Sequence, residues 1–436
     1  MVSRKPRQRE ELRDLIAETR PPETKRPPMI WVLGNALTVA AVAIALAMGG
    51  RICSGAAPGD APGMGDVAAE DLVATTVATD EGGYAKLLML PLGQNPGVLY
   101  ESNDLGTTFS LVRPGKSPTV LWSGQKYKAY VECAADGSGF ILAEYDKAGM
   151  GRRLISVKVF DAAGNKIQEY VPIRSVYLLA ALSNGAGLFA ERNADGSSTY
   201  LLYDKSGKVA GEAGPFKAVE ATWSADGSKL LVNIGEKPLS FEGYRSFDGP
   251  SVKILLVETK DGKVLYEFPP AYRGQLSPDG SLAATSGDKK LRFWKDGKEV
   301  KTFNLPWPAT IVVFSPNGRY VRFIDDDGMQ VYRTDNWMRT MTARVPEAGH
   351  KFDMAGGAVS NDGRTINRTY MPLAHTANQA NLVCLYDGDG TLLWMHRYPW
   401  NKERYPLQGN PALTPDGKEA YLNVNGRVIR VATPAD

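Results

Sequence analysis

Three cysteines in 436 residues are too few for a disulfide scaffold. The three histidines, His350, His375 and His396, form no His-Glu-x-x-His pattern, and no Cys-x-x-Cys accompanies them, so the sequence offers no recognisable metal site. A Walker phosphate loop and a Gly-x-Ser-x-Gly nucleophile elbow are both missing, and no other motif calls for a cofactor. Glycine and proline are plentiful, at 45 and 28, but have no period of three, which excludes a collagen-like chain. Helical periodicity is almost absent after residue 83. With 43% apolar and 23% charged residues, the composition is that of a globular protein.

The net charge of +3 is not spread evenly. Residues 1–28 carry eight Lys/Arg against five acids, and the remainder is balanced at 43 against 43. A neutral body has no broad positive field for phosphate backbones, so nucleic acid is not an expected partner.

The stretch Met29–Gly50 (MIWVLGNALTVAAVAIALAMGG) contains no charged residue. About 20 residues at 1.5 Å each cover a hydrocarbon core of about 30 Å, so this run is long enough to span a bilayer. The basic excess precedes it, which predicts a cytoplasmic N-terminus. A cleaved signal peptide is the alternative, with Ala45-Leu46-Ala47 as a cleavage site, but the preceding 28 residues are long for one. Within that tail, Arg7–Arg20 reads as a short helix, a solvated flank or a dock for a cytoplasmic partner. Residues 51–69 are rich in Gly, Ala and Pro and read as a flexible linker. The expected organisation is a cytoplasmic tail (1–28), a transmembrane helix (29–50), a linker (51–69) and one large extracytoplasmic unit (70–436).

That unit repeats. Trp223-Ser-Ala-Asp226-Gly227, Leu276-Ser-Pro-Asp279-Gly280, Phe314-Ser-Pro-Asn317-Gly318, Val359-Ser-Asn-Asp362-Gly363 and Leu413-Thr-Pro-Asp416-Gly417 are its clearest copies, and weaker ones end at Gly97, Gly137 and Gly185. The glycines are 38 to 54 residues apart. Asp-Gly and Asn-Gly supply the positive φ of a tight hairpin. A second hairpin lies between successive copies, as in Tyr200-Leu-Leu-Tyr-Asp204 to Gly207 and Leu291-Arg-Phe-Trp294 to Gly297. Four strands per period of 40 to 50 residues predict an all-β propeller of four-stranded blades. Eight units are expected, beginning near Tyr84, Tyr127, Val176, Lys217, Tyr272, Ala309, Ala355 and Gln408, with seven as the alternative. The last unit ends after three strands, and the β-prone Leu72–Thr79 is expected to supply its fourth.

These Ser-Pro-Asp-Gly turns resemble the WD-like repeats of the periplasmic propeller of the Tol system. Asp387-Gly-Asp-Gly390-Thr-Leu-Leu-Trp394 resembles a quinoprotein-type repeat, which commonly comes in eights. Ser102-Asn-Asp104-Leu-Gly106-Thr-Thr108-Phe109 is similar to the Asp-box of sialidase-like propellers, where it stabilises a hairpin remote from the active site. Together the resemblances imply a fold far more than an activity.

In such a blade the Asp-Gly turns share one face, and the other two connections share the opposite one. The long segments 236–251, 346–354, 370–381 and 398–409 all fall on that second face. They carry Phe241, Tyr244, Arg245, Phe247, Trp400, Lys402, Arg404 and Tyr405. Aromatic and basic residues on loops over a rigid scaffold suit a binding surface. The sequence therefore predicts a scaffold that is anchored in a bacterial-type inner membrane and binds protein partners of the cell envelope on its periplasmic side. The alternatives are a propeller enzyme (a quinone-dependent dehydrogenase or a glycan-active hydrolase or lyase) and a saccharide-binding module. No catalytic residue and no small-molecule ligand can be named.

Overall fold

The computed structural model describes residues 74–432 apart from 80–85, 91–96, 103–106, 113–116, 118, 125–128, 135–136, 147–152, 236–252, 371–379, 400–410 and 425–426. The expected tail, membrane span and linker therefore lie outside the described residues. So do Phe241, Tyr244, Arg245, Phe247, Trp400, Lys402, Arg404 and Tyr405, as well as the turn of the Asp-box-like segment.

Among the described residues the strands form eight four-stranded antiparallel sheets, each in sequential order except the last. Sheet 1 contains Lys86–Leu90, Gly97–Ser102, Thr107–Val112 and Thr119–Gly124. Sheet 2 follows with Ala129–Cys133, Gly139–Tyr145, Leu154–Asp161 and Lys166–Tyr170. In sheet 3 the strands are Val176–Ala181, Gly187–Arg192, Ser198–Tyr203 and Val209–Phe216. Ala218–Trp223, Lys229–Ile234, Lys253–Glu258 and Val264–Phe268 make sheet 4. Sheet 5 is built from Arg273–Leu276, Leu282–Gly287, Lys290–Lys295 and Lys298–Asn304. Val313–Phe314, Tyr320–Asp325, Gly328–Arg333 and Arg339–Ala343 form sheet 6. Lys351–Val359, Thr365–Tyr370, Ala380–Tyr386 and Leu392–Pro399 form sheet 7. Sheet 8 has Ala412–Leu413, Glu419–Val424 and Arg427–Ala432, completed by Ala74–Thr79 from the other end of the chain.

The pairing of Ala74 with Val431 and of Thr79 with Arg427 is the strand closure that the β-prone Leu72–Thr79 segment predicts. It covers an edge that would otherwise offer a full row of unpaired backbone groups. First strands of neighbouring sheets lie side by side, as Ala129–Cys133 does with Val176–Ala181 and Ala218–Trp223 with Arg273–Leu276. Lys86–Leu90 of sheet 1 lies against Glu419–Val424 of sheet 8, so the last sheet returns to the first.

The core is a series of seams between sheets, which follows from the period of two along a strand. Phe140 and Leu142 of sheet 2 turn toward Phe109 and Leu111 of sheet 1, while their neighbours Ile141 and Ala143 turn toward Phe189 of sheet 3. Leu230 and Val232 join Leu188 in the seam between sheets 3 and 4, and Leu231 joins Ala283 in the next. Second strands are consequently apolar on both sides, as the fully buried middle of Lys229–Ile234 shows. Aromatic residues fill the seam between sheets 5 and 6, where Phe293, Phe303, Phe323 and Trp337 pack with ring centroids as close as 4.7 Å.

Expected and observed unit starts agree within a few residues, and Val176 coincides. Sheet 7 alone starts earlier than expected. Its first strand starts at Lys351 rather than near Ala355, so part of the expected loop 346–354 is strand. The register slips between Phe352, which pairs with Thr369, and Gly357, which pairs with Asn367. An irregularity of this length hides a strand start from a pattern of alternation.

Candidate functional site

One end of the sheets is built from the Ser/Thr-x-Asp/Asn-Gly turns between first and second strands. In sheet 5 the buried Ser277 hydroxyl donates to Asp279 Oδ1 at 2.6 Å and accepts the Leu282 N–H at 2.9 Å. The Ser281 N–H donates to the same Asp279 oxygen at 3.1 Å. Gly280, at φ +66°, occupies the left-handed position that an Asp-Gly pair is suited to supply. Ser224–Asp226 (2.6 Å), Ser315–Asn317 (2.8 Å), Thr414–Asp416 (2.7 Å) and Ser360–Asp362 repeat the contact.

The turns are also tied to one another. Ser183 N–H donates to Ala225 O at 3.3 Å, Ala225 N–H to Pro278 O at 2.6 Å, and Asn361 N–H to Pro415 O at 2.7 Å. Asn317 N–H reaches the Asn361 side chain at 2.8 Å. The residue after the turn serine thus accepts from the preceding sheet and, unless it is proline, can donate to the following one. The Arg364 side chain, itself buried, joins the two turns of sheet 7: its Nε is 3.1 Å from Asp387 Oδ1 and its Nη1 3.4 Å from Asp362 Oδ2. Backbone and side-chain groups at this end are largely spent on each other, which leaves little for a partner.

At the opposite end lie the connections from second to third strands and from each sheet to the next. Segments 236–252, 371–379 and 400–410 leave the sheets there, between Ile234 and Lys253, Tyr370 and Ala380, and Pro399 and Ala412. The described part of this end includes an apolar tip. Ile173 is 98% exposed and Val171 60% exposed in the link from sheet 2 to sheet 3, and the exposed Ile155 is the second residue of the third strand of sheet 2, at the same end.

A third set of polar groups follows the inner edge of the sheets, and sequence reasoning missed it. Tyr130 donates to Glu132 at 2.6 Å on the first strand of sheet 2. Between sheets 4 and 5, Glu220 accepts from Asn233 Nδ2 at 3.0 Å and is 4.0 Å from Arg273. Burial outweighs both partners and holds the Glu220 carboxyl above its ordinary range. In sheet 7, Arg368 Nε donates to Asp353 Oδ2 at 2.6 Å. No spacing marks these residues, because each group draws on more than one strand or sits among ordinary strand residues.

The histidines are separated in role. His350 Nδ1 is 3.0 Å from Thr369 Oγ1 and its Nε2 3.7 Å from Glu347 Oε2, and burial lowers its pKa. His396 stacks on Trp394 at 5.6 Å, and His375 is outside the described residues. Among the described residues no group of three or more His, Cys, Asp or Glu is placed to hold a metal ion. Cys133 and Cys384 are free thiols in different seams, and burial pushes both up, Cys384 to about 12. Among the described residues no helix is long and apolar enough to cross a membrane.

The chain is similar in structure to the C-terminal WD40 domain of Sif2, with a TM-score of 0.52 and 11% identity over 83% of this chain and 99% of that one. The fold is a β-propeller. A second solved structure, KlHsv2 with loop 6CD replaced by a Gly-Ser linker, covers 72% of this chain and 98% of its own at 11% identity, with a TM-score of 0.40. At these identities the likeness concerns the fold alone. No family model matches the sequence, and no curated protein does.

Proposed function

We propose that this protein is a propeller of eight blades, held in a bacterial-type inner membrane by residues 29–50, that acts outside the cytoplasm as a protein-binding scaffold or as a subunit of an envelope assembly. The inequality of the two ends of the sheets carries this reading. Turns at one end are short, tied to each other and saturated with hydrogen bonds. The other end bears the longer connections and the exposed Val171 and Ile173. Both Ala74 and Ala432 lie at the turn end of sheet 8, so neither chain end leaves the sheets on the side of the longer connections. Membrane attachment raises the effective concentration of a weakly bound envelope partner.

A second reading, a polar ligand held in the central opening, is favoured by the charged inner-edge groups Tyr130–Glu132, Glu220–Arg273 and Asp353–Arg368. Crosslinking in native membranes, with the full-length chain and a form shortened at 236–251 and 398–409 as baits, separates the two. Scaffolding predicts a discrete set of envelope proteins captured by the first bait and lost with the second. Equal capture by both baits, or none by either, overturns binding through these loops and moves attention to the central opening.

A further inference from the structure

Seven residues after each turn serine or threonine, the second strand buries a side chain in the seam between sheets. Leu231, Ala284 and Tyr421 occupy this position in sheets 4, 5 and 8, but sheet 6 places Arg322 there, facing sheet 7, whose second strand turns the buried Asn367 back toward sheet 6. Arg322 is 0% exposed. Its Nη2 donates to the carbonyls of Met354 at 3.1 Å and Asp353 at 3.4 Å, which the slipped register of sheet 7 turns toward it. Among the described residues its Nε and Nη1 have no hydrogen-bond partner, and neither has Asn367 Oδ1. Gly357 stands between them: a Cβ there would come within 3.1 Å of both Arg322 Nη1 and the Asn367 Cα.

Asp353 is the carboxylate that acts on Arg322 among the described residues, and it already accepts from Arg368 at 2.6 Å. Burial lowers the Arg322 pKa to about 10, so the group keeps its charge at neutral pH. A buried charge without full compensation is strongly unfavourable, and apolar side chains fill the equivalent slot in sheets 4 and 5. The site is close to solvent, since Asp353, Met354 and Gly357 on the inner edge are all partly exposed.

We propose that the Arg322–Asn367 seam, entered past Gly357 from the inner edge of sheet 7, binds a small monoanion: a free halide or a carboxylate group. Arg322 supplies the charge and the N–H donors of Nε and Nη1, and Arg368 adds to the local field. Asp353 limits the affinity by competing for the same cations.

The test uses the full-length protein in detergent, with thermal unfolding followed against sodium bromide, sodium chloride or sodium formate at constant ionic strength set with sodium sulfate, whose dianion is not a proposed occupant. Wild type is expected to show a saturable rise in midpoint with at least one of the three. Arg322→Met, which fills the seam with an apolar chain of similar length, is expected to lose that response. Asp353→Asn, with a competing charge removed, is expected to reach saturation at severalfold lower concentration. A formate response without a halide response identifies a carboxylate as the occupant; the reverse identifies a free ion. The proposal is overturned if the midpoint rises identically in wild type and Arg322→Met, or if no saturable response occurs. Should Arg322→Met fail to fold, an unchanged midpoint concentration in Asp353→Asn overturns it equally. These outcomes do not depend on whether the loops capture a protein partner.

Discussion

At the scale of single residues, the turn serines and their aspartates do the most local work. Ser277 satisfies a buried N–H and orients Asp279 at once, so Ser277→Ala leaves the Leu282 N–H without its partner. A loss of about 1–3 kcal/mol is expected, read from urea unfolding. Burial alone would raise the Asp226 and Asp279 carboxyls, but hydrogen bonds from their serines and turn backbone outweigh it and hold both below the ordinary value. A carboxyl with a lowered folded pKa contributes stability above its unfolded value of about 3.9, lost as pH falls through the folded value. Stability is therefore expected to fall on acidification below about pH 4, and less steeply in Asp279→Asn. Glu220 has the opposite sign. Its raised carboxyl makes ionisation unfavourable in the fold, so its contribution worsens as pH rises past the unfolded value of about 4.3. Glu220→Gln is expected to be neutral or stabilising at pH 7, with the gain shrinking toward pH 4; a clear loss at pH 7 would mean that the Arg273 pair dominates.

At the scale of elements, the closing strand and the linked turns set how the sheets hold together. Ala74–Thr79 pairs with Arg427–Ala432 along its length and shields that strand's outer edge. Removing residues before 80 is expected to lower the unfolding midpoint by several degrees and to open sheet 8 to proteases, as limited proteolysis would reveal. The turn links have a finer signature. Ala225 both accepts from Ser183 and donates to Pro278, whereas Pro278 and Pro415 in the equivalent place only accept. Ala225→Pro deletes one hydrogen bond and keeps the other, so a cost of no more than about 1.5 kcal/mol is expected in urea unfolding. A larger cost would show that the backbone of this turn differs from those that already carry proline. The hairpins were legible in the sequence because Asp-Gly chemistry and alternation act over five to ten neighbouring residues. The start of sheet 7 was not, since its slipped register is held by carbonyl contacts to Arg322, 31 and 32 residues away.

At the scale of the whole molecule, the described residues present hydrogen-bonded turns at one end of the sheets and the exposed Val171 and Ile173 at the other. Ile173→Asp places a charge on a side chain that is 98% exposed, and its effect on the unfolding midpoint is expected to be negligible. If protein partners dock at that end, the same substitution weakens their capture in crosslinking. Unchanged capture with an unchanged midpoint would place the contact elsewhere on the loop end. Phe241, Tyr244, Arg245, Phe247, Trp400, Lys402, Arg404 and Tyr405, which the sequence expects on the binding surface, lie outside the described residues.

The repeat, the four strands in each period, the turn chemistry and the strand that completes sheet 8 were all determined by the sequence. Each depends on short-range backbone preference or on a period of two that a single strand displays by itself. Only the tertiary structure decided which polar residues meet between sheets. Glu220 and Arg273 come from neighbouring sheets, and so do Arg322 and the Asp353 and Met354 carbonyls. Their proximity follows from how far each sheet turns against the next and from one slipped register. Those quantities belong to the packing of many side chains together, and no local pattern encodes them.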